Sequence, residues 1–341
     1  MELIVSAFAV VALYVIGVVL LNRLQLAPEC DTVDVVDNPS SSLNKEKSLQ
    51  ILTWNIGYAG MGKEADFIFD GGKQLRPRKK EYVYGNLTGI ERFLIRHYAD
   101  FYLFQEVARP SLNTYGIDVS ERLRKVLTRC AWCHSTDLKT RLLYRRFGLD
   151  IGNSFFSRYT IRRCTRIALP VEPNFILGCF RKHYRLLVSE IETGDSTSLF
   201  LINLHLAAFD KDAQVRNAQL KRLRAFILEQ YEKGHSIVVG GDWNLRLAPV
   251  EFPHQTEDKN LFWIYDLPQQ FTPSGWTWAV DQSTPTVRTA HKPFKPGTNY
   301  TLIVDGFLCS PNVSVLSVKT ADLHFENTDH HPVIVTVKIE V

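Results

Sequence analysis

Carboxylate, imidazole and amide side chains fall repeatedly at the ends of short apolar segments in this sequence. The set comprises Asn55, Glu106, His205, Asp242, Asn244, Asp305, Asp329 and His330. A single Asp or Asn at such a place is typical of a turn. The whole set is harder to explain in that way, because clustered carboxylates repel each other unless a cation joins them. The pattern therefore predicts an oxygen-rich site that suits Mg²⁺, Mn²⁺ or Ca²⁺ better than Zn²⁺.

Strands and helices that would position these side chains can be read from the apolar pattern. Runs rich in Ile, Val, Leu and Phe predict strands at 49–54, 101–104, 199–204, 236–239, 301–308 and 333–339. Helical periodicity predicts helices at 86–97, 119–127 and 212–233, the last ending just before Gly234. Mixed strands and helices without repeats predict an α/β or α+β domain in which helices cover a central pair of sheets. No second linker interrupts residues 49–341, so one domain is expected there.

The composition is that of a globular protein with a sizeable core. The chain has 341 residues, of which 45% are hydrophobic, and 40 basic against 36 acidic residues give a formal charge of +4. That mild excess says little about partners. The six cysteines are too dispersed for a small disulfide-stapled scaffold, and they leave the redox compartment open.

The N-terminus carries an uninterrupted apolar run at residues 3–21, just long enough to span a bilayer as a helix. A cleaved signal peptide is the alternative, but a basic n-region is absent and Pro28 follows the one candidate cleavage site. We therefore expect a single-pass transmembrane anchor, with residues 22–48 as a polar linker. The acidic linker after Arg23 favours an extracytoplasmic catalytic domain.

The segments TWNIG, LFQEV, INLHL, VGGDWN, VDGFLCS and TDHHPV resemble, in order and spacing, the motif set of the endonuclease/exonuclease/phosphatase superfamily. That superfamily includes deoxyribonuclease I, abasic-site endonucleases, neutral sphingomyelinases and inositol polyphosphate phosphatases. The DGGK, TPSGWTWAVD and PTVR segments are similar to a bacterial group within it. The resemblance extends from Trp54 to Pro332. It implies an α+β fold, a four-layer α/β/β/α sandwich, with the active site at one end of its two sheets.

The resemblance and the chemistry of the side chains together imply a metal site and a general base. Glu106 is expected to bind Mg²⁺ directly, with Asn55 beside it and Asp329 completing the site, and Mn²⁺ is an alternative ion. The metal would polarise a phosphoryl oxygen and stabilise the leaving oxygen. Asp242 is expected to orient and deprotonate the attacking water. Asn244, two residues later, would share its face on an extended chain.

Two histidines complete the mechanism that the resemblance implies. His330 is expected to donate to the phosphorane oxygens as a cation. Asp305 matches the family position that keeps it protonated, since a carboxylate raises the pKa of a neighbouring imidazole. His205 is expected to hydrogen-bond the scissile phosphate from the opposite side. Water attacks in line, so no side-chain nucleophile is expected.

Three further residues are predicted to bind the substrate. Lys73 belongs to a basic loop after the first motif, for which a solvated surface is the alternative. Trp276 and Arg288 lie in a Pro- and Gly-rich region between Asp242 and Asp305, where loops would set specificity. A structural ion pair is the alternative reading of Arg288.

Other patterns receive a structural interpretation. Arg216 and Gln219 on the long predicted helix are expected to support the site rather than touch substrate. The CAWCH segment at 130–134 matches a c-type haem attachment pattern. It is predicted to lie on a strand, where positions i and i+3 face opposite sides, which argues against haem. A second basic stretch could serve either function or solubility and includes Lys139, Arg141, Arg145 and Arg146.

The sequence therefore predicts a Mg²⁺-dependent hydrolase of phosphate esters, of the phosphodiesterase or nuclease type. The basic loops favour nucleic acid as the substrate. The membrane anchor favours a phospholipid or inositol-phosphate ester, as in a sphingomyelinase. A non-catalytic binding module is the third alternative, since a fold does not fix an activity, but the complete set of site residues argues against it. A monomer is expected, and the choice between monoester and diester stays open.

Overall fold

The computed structural model describes residues 2–23, 29–141, 148–172, 178–193 and 197–340. Within these ranges lie the α-helices α1 (Glu2–Arg23), α2 (Lys80–Arg96), α3 (Val119–Val126) and α4 (Gln214–Glu232). The strands there are β1 (Cys30–Thr32), β2 (Leu49–Asn55), β3 (Phe101–Ala108), β4 (Ala131–Thr140), β5 (Leu149–Ser157), β6 (Ile161–Ala168), β7 (Arg185–Glu192), β8 (Ser198–His205), β9 (Ser236–Asp242), β10 (Thr277–Ala279), β11 (Val287–Arg288), β12 (Thr301–Leu302), β13 (Asp305–Cys309), β14 (Val313–Thr320) and β15 (Val333–Ile339).

Two large sheets hold most of these strands. The seven-stranded sheet has the order β1-β6-β7-β8-β9-β13-β10, and the six-stranded sheet has the order β14-β15-β2-β3-β5-β4. Strands β2 and β3 pair in parallel, as do β8 and β9, whereas the other neighbours in both sheets are antiparallel. Each sheet therefore brings the carboxyl ends of two central strands to one edge. The short strands β11 and β12 form a separate two-stranded ribbon.

Apolar clusters show how the layers are stacked. One cluster lies between the sheets and contains Ile51 and Leu103 from one sheet with Leu201 and Val238 from the other. A second joins the outer face of the six-stranded sheet to α2 and α3, and a third joins the outer face of the seven-stranded sheet to α4. The expected α+β fold, a sandwich of two sheets with helices on its outer faces, is thereby confirmed.

The helices follow their apolar positions and their end signals. Helix α2 begins at Lys80 rather than at the predicted residue 86, because Val83 and Leu87 continue the buried stripe towards its start. In α3 the Asp118 side chain accepts a hydrogen bond from the Glu121 backbone at 2.9 Å, as an N-cap does. Beyond α4, Gly234 has a φ of +86°, which a glycine adopts without steric cost. The predicted end of that helix is therefore confirmed.

The single strand predicted at 301–308 was wrong. The structure divides it into β12, which pairs with β11, and β13, which joins the seven-stranded sheet. Asp305 consequently begins a strand instead of ending one. It still lies at the predicted edge, because β13 runs antiparallel to β9 and places Asp305 directly opposite Asp242, the last residue of β9.

The N-terminal segment differs from the predicted anchor and linker. None of the helices that the structure describes is long and apolar enough to cross a membrane, so the transmembrane anchor at 3–21 is not supported. The buried Asn22 exchanges two hydrogen bonds of 2.8 and 2.7 Å with the backbone of Arg141, which attaches the end of α1 to the domain. Within the predicted linker, 22–48, β1 forms an edge strand of the seven-stranded sheet.

The CAWCH segment lies on a strand, as predicted. Cys130, just before β4, packs in the cluster beneath α2 and α3, whereas Cys133 packs between the sheets. The two thiols therefore face opposite sides of the six-stranded sheet, which does not suit joint attachment to one haem. Arg145 and Arg146 of the second basic stretch lie outside the described residues.

Candidate active site

Alternation along the strands explains why polar side chains gather between the sheets. On β8, Leu199 and Leu201 face the space between the sheets, whereas Ile202 and Leu204 face α4. Because side chains alternate along a strand, His205 lies on the same face as Leu201. The same rule applies to Asp242 after Val238 on β9, and to Asp305 before Phe307 on β13.

Glycine allows the two central strands of the seven-stranded sheet to approach closely near the site. Gly241 has a φ of +151°, and a β-carbon there would collide with the carbonyl of Leu204 on β8. The GGD sequence thus has a structural reason. The close approach brings Asp242 of β9 beside His205 of β8, its partner in the parallel pair.

His330 and Asp305 form a buried ion pair. The Nδ1 atom of His330 lies 2.8 Å from Oδ2 of Asp305, and the two residues are 6% and 0% exposed. Burial alone would lower the pKa of His330, but the negative charges of Asp305 and Asp242 outweigh it and raise that pKa to about 10. At neutral pH His330 is therefore a cation, with Nε2 3.7 Å from Oδ2 of Asp242.

Asp242 lies at the centre of the cluster. Its Oδ2 accepts a hydrogen bond of 3.0 Å from the Asn55 side chain, and its Oδ1 accepts one of 2.9 Å from the backbone of Asn244. Burial raises the pKa of Asp242 to about 7, and the charge of Asp305 adds to this effect while His330 opposes it. A carboxylate with this pKa can take up a proton near neutral pH.

Asn244 supports Asp242 through its backbone, not through a shared extended face. Its φ of +49° turns the chain after β9, and its side chain donates to the carbonyl of Leu206 at 2.9 Å. The buried Arg216 pairs with Asp210 at 2.6 Å and donates to the carbonyl of Asn244, and Gln219 accepts from the backbone of Ala207 at 2.9 Å. The expected supporting role of these two α4 residues is confirmed.

The opposite wall of the site contains a lysine that the sequence did not reveal. Lys182 places its Nζ atom 3.3 Å from Oε1 of Glu106 and 3.1 Å from Nδ1 of His205. Burial alone would lower the pKa of the Lys182 ammonium. The negative charge of Glu106 outweighs this effect, so the pKa is raised. The only sequence signal was its place in a basic FRKHYR run, and such runs usually form a solvated face.

His205 differs from His330 in its charge. Burial, together with the positive charges of Lys182 and His330, lowers the pKa of His205 well below its usual value. Its Nε2 atom lies 3.5 Å from Oδ2 of Asp242. His205 is therefore a neutral ring that can exchange hydrogen bonds with a phosphate oxygen.

Glu106 is placed by a bulge in β3. The register between β3 and β5 shifts after Phe104, and Glu106 itself has a φ of +55°. Bulges of this kind redirect side chains and are frequent beside active sites. The carboxylate remains partly exposed, so it stays accessible to a ligand.

The predicted metal ligands Glu106 and Asp329 act on each other electrostatically. The pKa of Asp329 is raised by burial, and the charge of Glu106 adds to that effect because the two carboxylates are close. The pKa of Tyr58 is likewise raised by burial and by both charges. Such carboxylates fit a divalent cation, which would relieve their repulsion. Asn55 is adjacent, although its Oδ1 accepts from the Gly57 backbone at 3.0 Å.

A second group of residues could also hold a metal ion. Asp242, Asp305 and His330 each offer a ligand atom within 4.8 Å of the others, and Oδ1 of Asp305 is buried without a hydrogen-bond partner among the described residues. The hydrogen bond between His330 and Asp305 already occupies Nδ1, so a metal in this group would compete with that bond.

Asp70 is a further acidic residue near the site that the sequence reasoning missed. Burial raises its pKa to about 7, and its Oδ2 accepts from the Ala290 backbone at 2.7 Å. The charges of Asp329 and His330 also act on it. Asp70 opens the DGGK segment, so the resemblance to the bacterial group was the signal that could have found it.

The structure does not bring the predicted substrate-binding residues together in the site. Arg288 is 1% exposed and donates to the carbonyl of Gly62 at 2.6 Å, so it holds a loop beneath the surface. Trp276 is buried against Tyr231 of α4, in the outer cluster. Only Lys73 is exposed, on the loop after the first motif. In this structure Trp276 packs in the outer cluster and Arg288 supports the loop while its charge acts on Asp329 and Asp70, and the substrate contacts of both stay predictions.

Comparison with known proteins agrees with this geometry. A model of the Endonuclease/Exonuclease/phosphatase family matches residues 52–324. No curated protein matches the chain. Among solved structures, an endonuclease/exonuclease/phosphatase from Beutenbergia cavernae DSM 12333 has a TM-score of 0.55 at 17% identity, over 86% of this chain and 72% of that chain.

Two further structures share the fold and have names that state an activity or a ligand. D. rerio TDP2 complexed with a single-strand DNA product has a TM-score of 0.52 at 15% identity, over 85% of this chain and 99% of that chain. ANGEL2, a 2′,3′-cyclic phosphatase, has a TM-score of 0.54 at 14% identity, over 91% of this chain and 99% of that chain. At these identities the likeness concerns the fold.

Proposed function

This chain belongs to the endonuclease/exonuclease/phosphatase family, and we propose that it is a divalent-metal-dependent hydrolase of phosphate esters, of the phosphodiesterase or nuclease type. One observation carries the proposal. A buried carboxylate with a pKa of about 7, Asp242, faces a histidine cation held by Asp305. A base and an acid side by side are what water attack on a phosphate ester requires.

Asp242 accepts the proton of the attacking water in the proposed mechanism. The hydrogen bond from Asn55 to its Oδ2 and the one from the Asn244 backbone to its Oδ1 fix the orientation of the carboxylate. Its raised pKa favours proton uptake near neutral pH. In-line attack by water needs no covalent intermediate, so positioning and charge carry the rate.

His330 donates from Nε2 to the oxygens on which negative charge develops, and Asp305 keeps it protonated through Nδ1. On the other wall, neutral His205 and the ammonium of Lys182 bind a phosphate oxygen from the opposite side. The substrate phosphate would then lie between two positively charged groups, His330 and Lys182. A non-catalytic binding module would not need a general base placed between these two cationic groups.

Glu106 and Asp329 would hold the metal ion, with Asn55 beside them. A Mg²⁺ ion, or Mn²⁺, supplies polarisation of a phosphoryl oxygen and stabilises the leaving oxygen. Glu106→Ala is expected to abolish most Mg²⁺ binding in calorimetry while leaving the thermal unfolding temperature near the wild-type value. Glu326→Ala, which removes an exposed partner of Lys63, is the matched control. Unchanged Mg²⁺ affinity in Glu106→Ala would remove Glu106 from the metal site.

The experiment that tests the function is a substrate panel on the full chain with Mg²⁺ and with EDTA. Plasmid DNA, single-stranded RNA, sphingomyelin, phosphatidylinositol phosphates and bis-p-nitrophenyl phosphate cover the candidate esters. Hydrolysis that needs Mg²⁺ and is lost in Asp242→Asn supports the proposal. Failure of every ester to react, or equal rates in Asp242→Asn, would contradict it.

Nucleic acid is the first candidate substrate. The exposed Lys73 lies on a basic loop next to the first motif, and cationic loops contact phosphate backbones. D. rerio TDP2, which shares the fold, is complexed with single-strand DNA. We expect loss of affinity with rising salt if a polynucleotide is bound.

A phospholipid or inositol-phosphate ester is the second candidate, favoured by a cavity beside the site. It has a volume of about 630 Å³ and contains Lys182 together with the largely apolar side chains of Tyr184, Ala207, Phe209 and Val215. Phe209 is 47% exposed and stacks on the exposed Phe262 at 6.0 Å. An apolar cavity next to a phosphate site suits an amphiphilic ester.

The membrane location stays a proposal that rests on the apolar run at residues 3–21 and the acidic linker after it. It predicts that the full chain stays with membranes after a carbonate wash, and that its catalytic domain faces the extracytoplasmic side. The thiol of the exposed Cys30 can report that side with a membrane-impermeant reagent. If the carbonate wash released the full chain into the supernatant, the anchor would be rejected.

A further inference from the structure

Two buried thiols from opposite sheets meet in the core between them. Cys133 belongs to β4 of the six-stranded sheet and Cys164 to β6 of the seven-stranded sheet. Both are 0% exposed, and their sulfur atoms are 2.7 Å apart although the residues are 31 positions apart in sequence. The pair plays no part in the proposed mechanism.

The surroundings of the pair exclude a metal site. The hydroxyl of Ser189 lies 3.8 Å from Sγ of Cys133 and 3.7 Å from Sγ of Cys164. A structural zinc site needs four ligands, usually thiolates and imidazoles. Among the described residues, the one group of three or more His, Cys, Asp or Glu side chains whose ligand atoms lie close enough to share a metal ion is the Asp242 group, which does not include either thiol.

We propose that Cys133 and Cys164 form a disulfide that joins the two sheets when the chain folds in an oxidising compartment. The two thiols lose two protons and two electrons as the S–S bond forms. A disulfide oxidant, such as glutathione disulfide or the disulfide form of a dithiol oxidase, accepts the two electrons and two protons. Its own S–S bond is thereby reduced to two thiols. A disulfide bond is about 2.05 Å long, against the 2.7 Å observed between the two sulfur atoms.

Burial sets the time at which the bond can form. Both thiols are closed to solvent, and burial raises the pKa of Cys133 well above its usual value, so an oxidant cannot react with this pair in the folded protein. Oxidation therefore takes place before the sheets close. Once formed, the bond constrains the unfolded chain and is protected from reductants until the protein unfolds.

The test is to refold the full chain in a glutathione redox buffer, denature it without reductant, and alkylate it with iodoacetamide. The chain has six cysteines, so a disulfide leaves four alkyl groups by intact mass, and six after reduction. Peptide mapping should recover Cys133 linked to Cys164. We expect protein that is reduced while unfolded and refolded with reductant present to unfold at a temperature about 5–10 °C below that of the oxidised protein.

Matched variants separate this pair from the other buried thiols. Cys309→Ala removes a fully buried thiol from the same cluster between the sheets and should keep the bond, with three alkyl groups. The variants Cys133→Ala and Cys164→Ala should each carry five alkyl groups. Their unfolding temperature should not depend on whether reductant is present. Six alkyl groups on the oxidised wild type, or a link between other cysteines, would overturn the proposal.

Discussion

The two walls of the site hold one histidine each, and those histidines have opposite charge states. Both rings are almost fully buried and both lie within 3.7 Å of Oδ2 of Asp242. His330 contacts the carboxylate of Asp305, and its pKa is raised to about 10. His205 contacts the ammonium of Lys182, and its pKa is lowered well below the usual value.

The comparison shows that the neighbouring charges set the two rings apart, because burial acts on both pKa values in the same direction. Burial lowers the pKa of both histidines. A carboxylate at 2.8 Å outweighs this effect, whereas an ammonium at 3.1 Å adds to it. One wall therefore offers an acid and the other a neutral ring beside a fixed cation. The predictions below alter first the residue between the walls and then each wall.

Asp242→Asn is expected to have the largest effect, because it removes the base that both walls orient. Turnover should fall about a hundredfold to ten-thousandfold, the range for a lost general base. The unfolding temperature should change little or rise, since a buried charge is removed. Steady-state kinetics on bis-p-nitrophenyl phosphate measure this, with the exposed Asp266→Asn as control. A loss of less than about threefold would reject Asp242 as the base.

Asp305→Asn tests the charged wall. Wild-type turnover should rise with pH through about 7 as Asp242 loses its proton, and fall through about 10 as His330 loses its own. Without Asp305 the pKa of His330 drops, so the high-pH limb should move downwards, with turnover about tenfold to a thousandfold lower.

The pairing itself is tested by a double variant. Asp305→Asn combined with His330→Ala should be little slower than His330→Ala alone, because residues that act as a unit are not additive. Full additivity of the two losses would show that Asp305 acts independently of His330.

Lys182→Met tests the neutral wall, with a smaller expected effect. Removing the ammonium should raise the pKa of His205, which NMR titration of the ring can follow. Turnover should fall about tenfold to a hundredfold, and Lys182→Arg should recover part of the loss because it restores the charge. An unchanged His205 titration in Lys182→Met would show that Lys182 does not control the protonation of His205.

Lys73→Ala is expected to have the smallest effect, since Lys73 is exposed and lies outside both walls. If the substrate is a polynucleotide, its KM should rise about twofold to fivefold at low salt with kcat unchanged, and the effect should fade at high salt. For bis-p-nitrophenyl phosphate, KM should stay the same. A large change in kcat would place Lys73 in the site instead.

The strand ends were readable from sequence because their signals are local. The apolar runs located β2, β3, β8, β9 and β15, and the polar residues at one end of each run marked the catalytic edge. Asn55, Glu106 and Asp242 could therefore be predicted. The short strands β1, β10 and β11 were missed because two or three residues carry no periodicity, and the longer strands β5, β6, β7 and β14 were not predicted either.

Residues outside strand ends were predicted less well, because burial depends on contacts distant in sequence. Arg288 and Trp276 have the side chains of ligand-binding residues, but one holds the loop of Gly62 and the other packs on α4. Lys182 lies before β7 in a run that resembles a solvated surface. Its burial depends on Glu106 and His205, 76 and 23 positions away.

Alternation along a strand is a property of the backbone, so the sequence showed which side chains of each strand share a face. It also determined the family, through the order of the motifs. No local pattern shows that Asp305 begins a strand and still meets Asp242, since this depends on the antiparallel pairing of β13 with β9 in the folded chain. The neutral state of His205 follows from burial and from Lys182, because a pKa depends on surroundings within a few ångströms that come from distant parts of the chain.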